Sequence, residues 1–167
     1  MERRELFGSL TSAFRGESSK KEKTPTLIRP PYNNDESLFE KQCHECDALC
    51  VSVCETDIIK IAPDKTPYLD FSKQGCTFCD ECAIACEYDV LKVEDMHNIK
   101  ADVDINVSGC VAWDGVMCMS CKDPCLDRAI VFNGLFKPVI DENKCTGCGF
   151  CFSRCPTYAI DIIGLIS

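Results

Sequence analysis

The chain has 167 residues, of which 16 are cysteine, and a net charge of −9. This acidity argues against a nucleic-acid ligand, because phosphate backbones bind basic surfaces. No apolar run reaches the roughly 18–20 residues that a membrane span needs. The N-terminal residues lack the apolar segment of an export signal. We therefore expect a cytoplasmic protein whose thiols stay reduced.

Residues 1–36 are predicted to be an N-terminal arm and linker. Within residues 2–15, apolar side chains recur at helical spacing; they are Leu6, Phe7, Leu10 and Phe14. An isolated helix of this length is marginal in water. It therefore either packs on the body of the protein, binds a partner or stays disordered.

The cysteines fall into four quartets with none left over. These are Cys43, Cys46, Cys50 and Cys54; Cys76, Cys79, Cys82 and Cys86; Cys110, Cys118, Cys121 and Cys125; and Cys145, Cys148, Cys151 and Cys155. The last quartet, followed by Pro156, has the bacterial ferredoxin spacing Cys-x2-Cys-x2-Cys-x3-Cys-Pro. A disulfide scaffold suits short secreted chains, and zinc prefers two separated Cys-x2-Cys halves. The fourfold recurrence instead favours four [4Fe–4S] clusters.

Crossed ligation follows from the ferredoxin pattern, in which the fourth cysteine of a run binds the other cluster. The predicted ligand sets are Cys43, Cys46, Cys50 and Cys86; Cys76, Cys79, Cys82 and Cys54; Cys110, Cys118, Cys121 and Cys155; and Cys145, Cys148, Cys151 and Cys125. Two loops depart from the pattern: one extra residue stands before Cys50, and seven residues separate Cys110 from Cys118.

A short β-like run follows each quartet, at residues 58–61, 90–93, 129–132 and 159–163. Two of these runs are predicted to continue into hairpins, with second strands at residues 68–71 and 139–140, and Asn133-Gly134 is a strong turn signal. Each hairpin joins two quartets. The chain is therefore predicted to be α+β, an internal duplication of two dicluster ferredoxin-like modules at residues 37–94 and 101–167.

Other side chains are assigned ordinary roles. Trp113 is read as a packed core or lid residue, with docking to a partner as the alternative. His44 and His97 are expected at the surface, and Glu55 and Glu87 either lower the potential of nearby clusters or point into water. No nucleotide loop or nucleophile–base pair occurs, so we predict an electron carrier or assembly factor and not an enzyme.

With the quartets in view, the segment Arg29-Pro-Pro-Tyr-Asn-Asn-Asp-Glu-Ser37 adds a resemblance. Together with the gap before Cys118 and the final ferredoxin run, it makes the chain similar to the NapF family, the ferredoxin-type proteins of periplasmic nitrate reductase operons. The extra residue before Cys50 departs from that family. The resemblance implies a cytoplasmic protein with four [4Fe–4S] clusters. It also implies a partner, the precursor of the nitrate reductase catalytic subunit, whose cluster the family is thought to help load or keep reduced. The alternative is a general electron-transfer polyferredoxin that serves other redox proteins, or a subunit of a cytoplasmic redox complex.

Overall fold

The computed structural model describes residues 26–165, which form an α+β arrangement of short helices and two-stranded sheets. This confirms the predicted class at that level. The helix predicted for residues 2–15 and most of its linker lie outside the described residues. Within residues 26–165, no helix has the length and apolar character needed to cross a membrane.

The helices of the described residues are short. They are α1 (Ser37–Gln42), α2 (Leu49–Ser52), α3 (Glu81–Ile84) and α4 (Phe150–Arg154). Each of the last three begins directly after a residue with left-handed φ: Ala48 at 56°, Asp80 at 64° and Gly149 at 80°. The left-handed residue ends the cysteine loop. The helix that follows carries the third cysteine of its quartet.

Two hairpins follow the first and third quartets, as predicted. Strand β1 (Ile59–Ile61) pairs antiparallel with β2 (Pro67–Leu69). Further along the chain are β3 (Ala101–Ile105), β4 (Ile130–Phe132), β5 (Pro138–Ile140) and β6 (Ile160–Gly164). Strand β4 pairs antiparallel with β5. Gly134 adopts φ +74° in the turn between them, which explains the glycine in the Asn-Gly signal.

A third sheet joins segments far apart in the chain. Strand β3 pairs antiparallel with β6, with Ala101 opposite Gly164 and Ile105 opposite Ile160. Val103, Ile105 and Ile160 are buried on one face of this sheet. The strand predicted at residues 159–163 is therefore present, and its partner begins just after the polar segment that precedes residue 101.

The strand predicted at residues 90–93 is absent, and that prediction was wrong. Val90 and Leu91 are buried, but the segment runs beside Arg29–Asn33 without forming a ladder. Only the Lys92 amide donates to a neighbouring backbone there, to the Tyr32 carbonyl at 2.8 Å. Pro30 and Pro31 explain the difference, because proline has no N–H to donate.

Two apolar cores lie side by side, and we refer to residues 26–99 as the first half and residues 100–165 as the second half. Phe152 and Ile162 pack against both cores. The Cys76 amide donates to the Cys148 carbonyl at 2.7 Å, and the Ile99 amide donates to the Thr146 carbonyl at 3.0 Å. The halves therefore contact each other directly, and the division into modules 37–94 and 101–167 stays a prediction.

Candidate iron–sulfur sites

Four cavities in the described residues are each lined by four cysteines. We name them cavity one (Cys43, Cys46, Cys50 and Cys86), cavity two (Cys54, Cys76, Cys79 and Cys82), cavity three (Cys110, Cys118, Cys121 and Cys155) and cavity four (Cys125, Cys145, Cys148 and Cys151). Including their open mouths, the cavities have volumes of about 340, 370, 330 and 360 Å³ respectively.

The grouping crosses the quartets. Each cavity receives three cysteines from one loop and a fourth from the quartet that shares its hairpin. Cys86 reaches the loop of Cys43, and Cys54 reaches the loop of Cys76. In the second half, Cys155 and Cys125 exchange in the same way. The structure thus brings together all sixteen sequence-predicted residues in four sets of four.

The extra residue of the first quartet does not move Cys50 out of cavity one. Helix α2 starts immediately after Ala48, just as α3 starts after Asp80. The insertion therefore lies between Cys46 and Ala48. The amide of Ala48 donates to the Cys46 sulfur at 3.4 Å, whereas the Asp80 amide at the corresponding position before α3 donates to the Tyr32 hydroxyl.

The seven-residue insert before Cys118 folds beside cavity three. Val111 and Ala112 line this cavity, and Ala112 is buried. Trp113 is half-buried against the core of the second half, and its indole N–H donates to the Pro138 carbonyl at 3.1 Å. This agrees with the packed role predicted for the tryptophan.

The fourth cysteine of each quartet is followed by the same local turn. The third residue after it has left-handed φ in every case: Asp57, Asp89, Arg128 and Tyr158, at 52–54°. The chain then folds back on the cysteine sulfur. The amides of Ala129 and Ala159 donate to the sulfurs of Cys125 and Cys155 at 3.3 and 3.2 Å. Such bonds stabilise a thiolate, which is the metal-binding form.

Burial makes most of the loop thiols weak acids. It raises the pKa of Cys43, Cys50 and Cys76 to about 11, with further increases from thiolates of the same cavity. Burial likewise raises the pKa of Cys121 to about 11 and of Cys151 to about 12. Without a metal these thiols hold their protons at neutral pH, and metal binding must release them.

The fourth cysteine of the first quartet and that of the last quartet have a lowered pKa. Burial acts to raise the pKa of Cys54, but hydrogen bonds from the Thr56 hydroxyl and the amides of Ile58 and Ile59 outweigh it. The pKa of Cys155 is lowered against burial in the same way, by the Ala159 and Thr157 amides and the Thr157 hydroxyl. The hydrogen bonds thus favour the thiolate form of Cys54 and Cys155 relative to a free cysteine.

The donor set fits an iron–sulfur cluster. All sixteen cysteines are free thiols, and the walls of the four cavities are mainly apolar. Within residues 26–165, no three His, Cys, Asp or Glu side chains are close enough to bind one metal ion. A single zinc ion holds its sulfur ligands at about 2.3 Å. Four thiols around one cavity that are too far apart for a single ion suit a larger, polynuclear group.

Some contributing residues were not singled out by the sequence. The Tyr32 hydroxyl accepts a hydrogen bond from the Asp80 amide at 3.1 Å and so supports the loop of cavity two. Gly75 lies buried beside Cys148. A Cys-x-Thr pattern, present at Cys54 and at Cys155, is the sequence signal that could have indicated the hydroxyl bonds of Thr56 and Thr157. Of the two histidines expected at the surface, His44 is exposed and His97 is half-buried; the Glu55 and Glu87 residues, for which two roles were open, are exposed.

Comparison with known proteins gives the same class. The 4Fe–4S binding domain family matches residues 138–161. The ferredoxin-type protein NapF of Escherichia coli K12 is 35% identical over 138 residues, covering 80% of this chain and 82% of that protein. NapF of Haemophilus influenzae is 35% identical over 137 residues, covering 80% and 77%. The methylamine utilization ferredoxin-type protein MauM of Methylobacillus flagellatus is 31% identical over 151 residues, covering 78% and 64%.

The four-cysteine cavities and the 4Fe–4S binding domain define an iron–sulfur protein of the ferredoxin type. The extent of the similarity to the NapF proteins makes the family clear. The chain belongs to the NapF family of ferredoxin-type proteins.

Proposed function

We propose that each of the four cavities holds one [4Fe–4S] cluster, bound by the four cysteines that line it. The observation that carries this proposal is the crossed grouping, which repeats in both halves. It is the arrangement expected of two-cluster ferredoxins. The four clusters would form two dicluster modules, at residues 37–94 and 101–167.

The chain's own residues hold and insulate these sites. A [4Fe–4S] cluster bound there would supply one-electron transfer. The cavity walls are mainly apolar, and backbone amides such as those of Ala129 and Ala159 donate hydrogen bonds to the ligand sulfurs. Hydrogen bonds to the sulfurs and limited solvent access are the means by which proteins tune such potentials.

The ligand sets are tested by Cys125→Ser. Because Cys125 lines cavity four, the variant should expose Cys145, Cys148 and Cys151 to alkylation and leave Cys118 and Cys121 protected. Mass spectrometry of the alkylated, anaerobically purified protein reads the pattern. The reciprocal variant Cys155→Ser should expose Cys110, Cys118 and Cys121. If each variant exposes only its own quartet, the crossed ligation is wrong.

We further propose that the protein assists maturation of a periplasmic nitrate reductase. It would bind the precursor of the catalytic subunit in the cytoplasm and help load, or keep reduced, the precursor's own cluster. Membership of the NapF family supports this role. The acidic composition also suits docking to a basic patch on a protein partner. With no nucleophile–base pair in the sequence, the chain would act as a carrier or assembly factor and not as an enzyme.

A general electron-transfer role is the second candidate. The similarity to MauM, a ferredoxin-type protein of methylamine utilization, supports it, since that system is a different one. Four clusters in a single chain suit either role. In this case the partners would be redox proteins of more than one kind.

Affinity for the nitrate reductase precursor separates the two roles, and a truncation tests whether residues 1–15 contribute to that affinity. Deleting residues 1–15, which carry Leu6, Phe7, Leu10 and Phe14, should leave the iron and sulfide content unchanged, because every cysteine lies after residue 42. We expect weaker binding of the purified nitrate reductase precursor and lower nitrate reductase activity in cells. A second variant replaces the same four side chains by alanine in the full-length chain. It should show the same weaker precursor binding as the deletion. If the intact protein shows no affinity for the precursor, the electron-transfer role stands in its place.

A further inference from the structure

One backbone hydrogen bond between the two halves joins two cysteine loops. The amide of Cys76, which lines cavity two, donates to the carbonyl of Cys148, which lines cavity four, at 2.7 Å. The two halves therefore meet at residues that the proposed function assigns as cluster ligands.

Gly75 makes this approach feasible. A Cβ atom at Gly75 would lie 2.6 Å from the Cys148 carbonyl oxygen and 2.6 Å from the Phe150 amide nitrogen. Both are backbone atoms, so no side chain can rotate away to make room. Gly75 does not have positive φ, so its backbone conformation is open to alanine. Glycine is required at this position only because the backbone of the neighbouring loop leaves no room for a Cβ atom.

The opposite loop is fitted to the first half in the same way. Gly149 has φ +80°, and a Cβ atom there would overlap the ring of Phe71. Phe71 is itself part of the buried core of the first half. Phe150 then packs its ring over Gly75, where a Cβ atom would lie 2.7 Å from the Phe150 Cδ2. A glycine on each side thus lets the two loops interlock.

Within each half, the two cavities are neighbours. Helix α2, which carries Cys50 of cavity one, contacts α3, which carries Cys82 of cavity two. Cys121 of cavity three and Cys151 of cavity four are buried in the same core of the second half. Cavities two and four are therefore the inner pair and cavities one and three the outer pair. The order through the molecule is one, two, four, three, which differs from the order of the quartets in the sequence.

We propose that Gly75 is a positioning residue that sets cavities two and four close enough to couple the clusters of the two halves electronically. The proposal rests on the proposed function, since it requires a cluster in each of these cavities. Exchange across this contact moves one electron from a reduced site to an oxidised one, so no bond forms or breaks and no proton moves. The electrons come from a low-potential one-electron donor, for which dithionite serves in the test.

The test compares Gly75→Ala with Gly109→Ala in the full-length holo-protein. Gly109 also precedes a cysteine of its quartet, but a Cβ atom there would make an ordinary contact of 3.5 Å with the Ala159 Cβ. Electron paramagnetic resonance of the dithionite-reduced protein reports the magnetic coupling between clusters. We expect Gly75→Ala to lose the coupling between the halves, while Gly109→Ala keeps the wild-type spectrum. Both variants should keep wild-type iron and sulfide.

Two outcomes would overturn the proposal. One is a Gly75→Ala protein that has full iron content and wild-type coupling. The other comes from the wild-type protein and decides the matter if Gly75→Ala fails to fold. The Cys76 amide should be protected from hydrogen–deuterium exchange in the holo-protein, and exchange as fast as that of an exposed loop amide contradicts the contact. Absence of reduced [4Fe–4S] signals from the wild-type protein would instead refute the proposed function.

Discussion

The two halves surround their cavities in the same way but close the fold differently. In the second half, β3 and β6 form a ladder of five residue pairs. In the first half, the equivalent position is occupied by Arg29–Asn33, which includes two prolines. There the Tyr32 carbonyl accepts from the Lys92 amide, and the Asn33 side-chain amide donates to the Val90 carbonyl at 2.6 Å.

Large buried side chains take the place of the missing ladder. Tyr32 and Phe39 are 1% and 0% exposed, and Pro30 and Pro31 are also fully buried. The Tyr32 hydroxyl additionally caps the turn at Asp80. The comparison teaches that one ligand arrangement can be held either by a distributed backbone ladder or by a few large side chains. The stability of the first half should therefore depend more strongly on a single large side chain.

The largest effect is expected from Tyr32→Ala. Removing a buried aromatic side chain costs about 3–5 kcal/mol through lost burial and the cavity left behind. We expect iron loss from cavities one and two, read as alkylation of the first-half cysteines after anaerobic purification, while the second half stays protected. The control is Tyr158→Ala, because Tyr158 is 81% exposed. Equal alkylation of both halves would show that they are not held separately.

A smaller effect is expected from Tyr32→Phe. The ring stays in place, but the Asp80 amide loses its acceptor, and an unpaired buried donor costs about 1–3 kcal/mol. The denaturant midpoint of the holo-protein should fall, as followed by the visible absorption of the clusters. Tyr158→Phe removes the same hydroxyl from an exposed ring and should leave the midpoint unchanged. Identical midpoints for the two variants would mean that the Tyr32 hydroxyl does not support the loop.

The smallest effect is expected from Arg29→Lys. The Arg29 Nη1 donates to the Thr66 hydroxyl and to the Pro67 carbonyl, both at 2.7 Å, and the guanidinium lies 5.0 Å from the centre of the Phe39 ring. Lysine keeps the charge but not this planar geometry, so we expect a loss of about 1 kcal/mol. Calorimetry of the holo-protein measures it. Arg154→Lys, at an exposed site on α4, is the control. An equal loss of stability in the two variants would mean that the Arg29 contacts do not stabilise the first half.

The grouping of the cysteines and both hairpins followed from local sequence patterns. The Cys-x3-Cys spacing places the fourth thiol past the loop. Asn133-Gly134 predicts the turn between β4 and β5 because the turn needs a residue with positive φ, which Gly134 supplies. The segment 90–93 was misjudged because its apolar residues match a strand, whereas its neighbour contains Pro30 and Pro31. The Gly75–Cys148 contact could not be predicted, since no local pattern encodes which distant backbone approaches a glycine.

The crossed grouping also sets an order for biosynthesis. A chain leaving the ribosome cannot complete cavity one until Cys86 has emerged, and cavity two then already has all its cysteines. Cavity three likewise waits for Cys155, and cavity four then already has all its cysteines. Because N-terminal units fold first during synthesis, the first half can be complete while the second is still being made. Metallation of the nascent chain would then proceed in two paired steps, and the contact between Cys76 and Cys148 would form last.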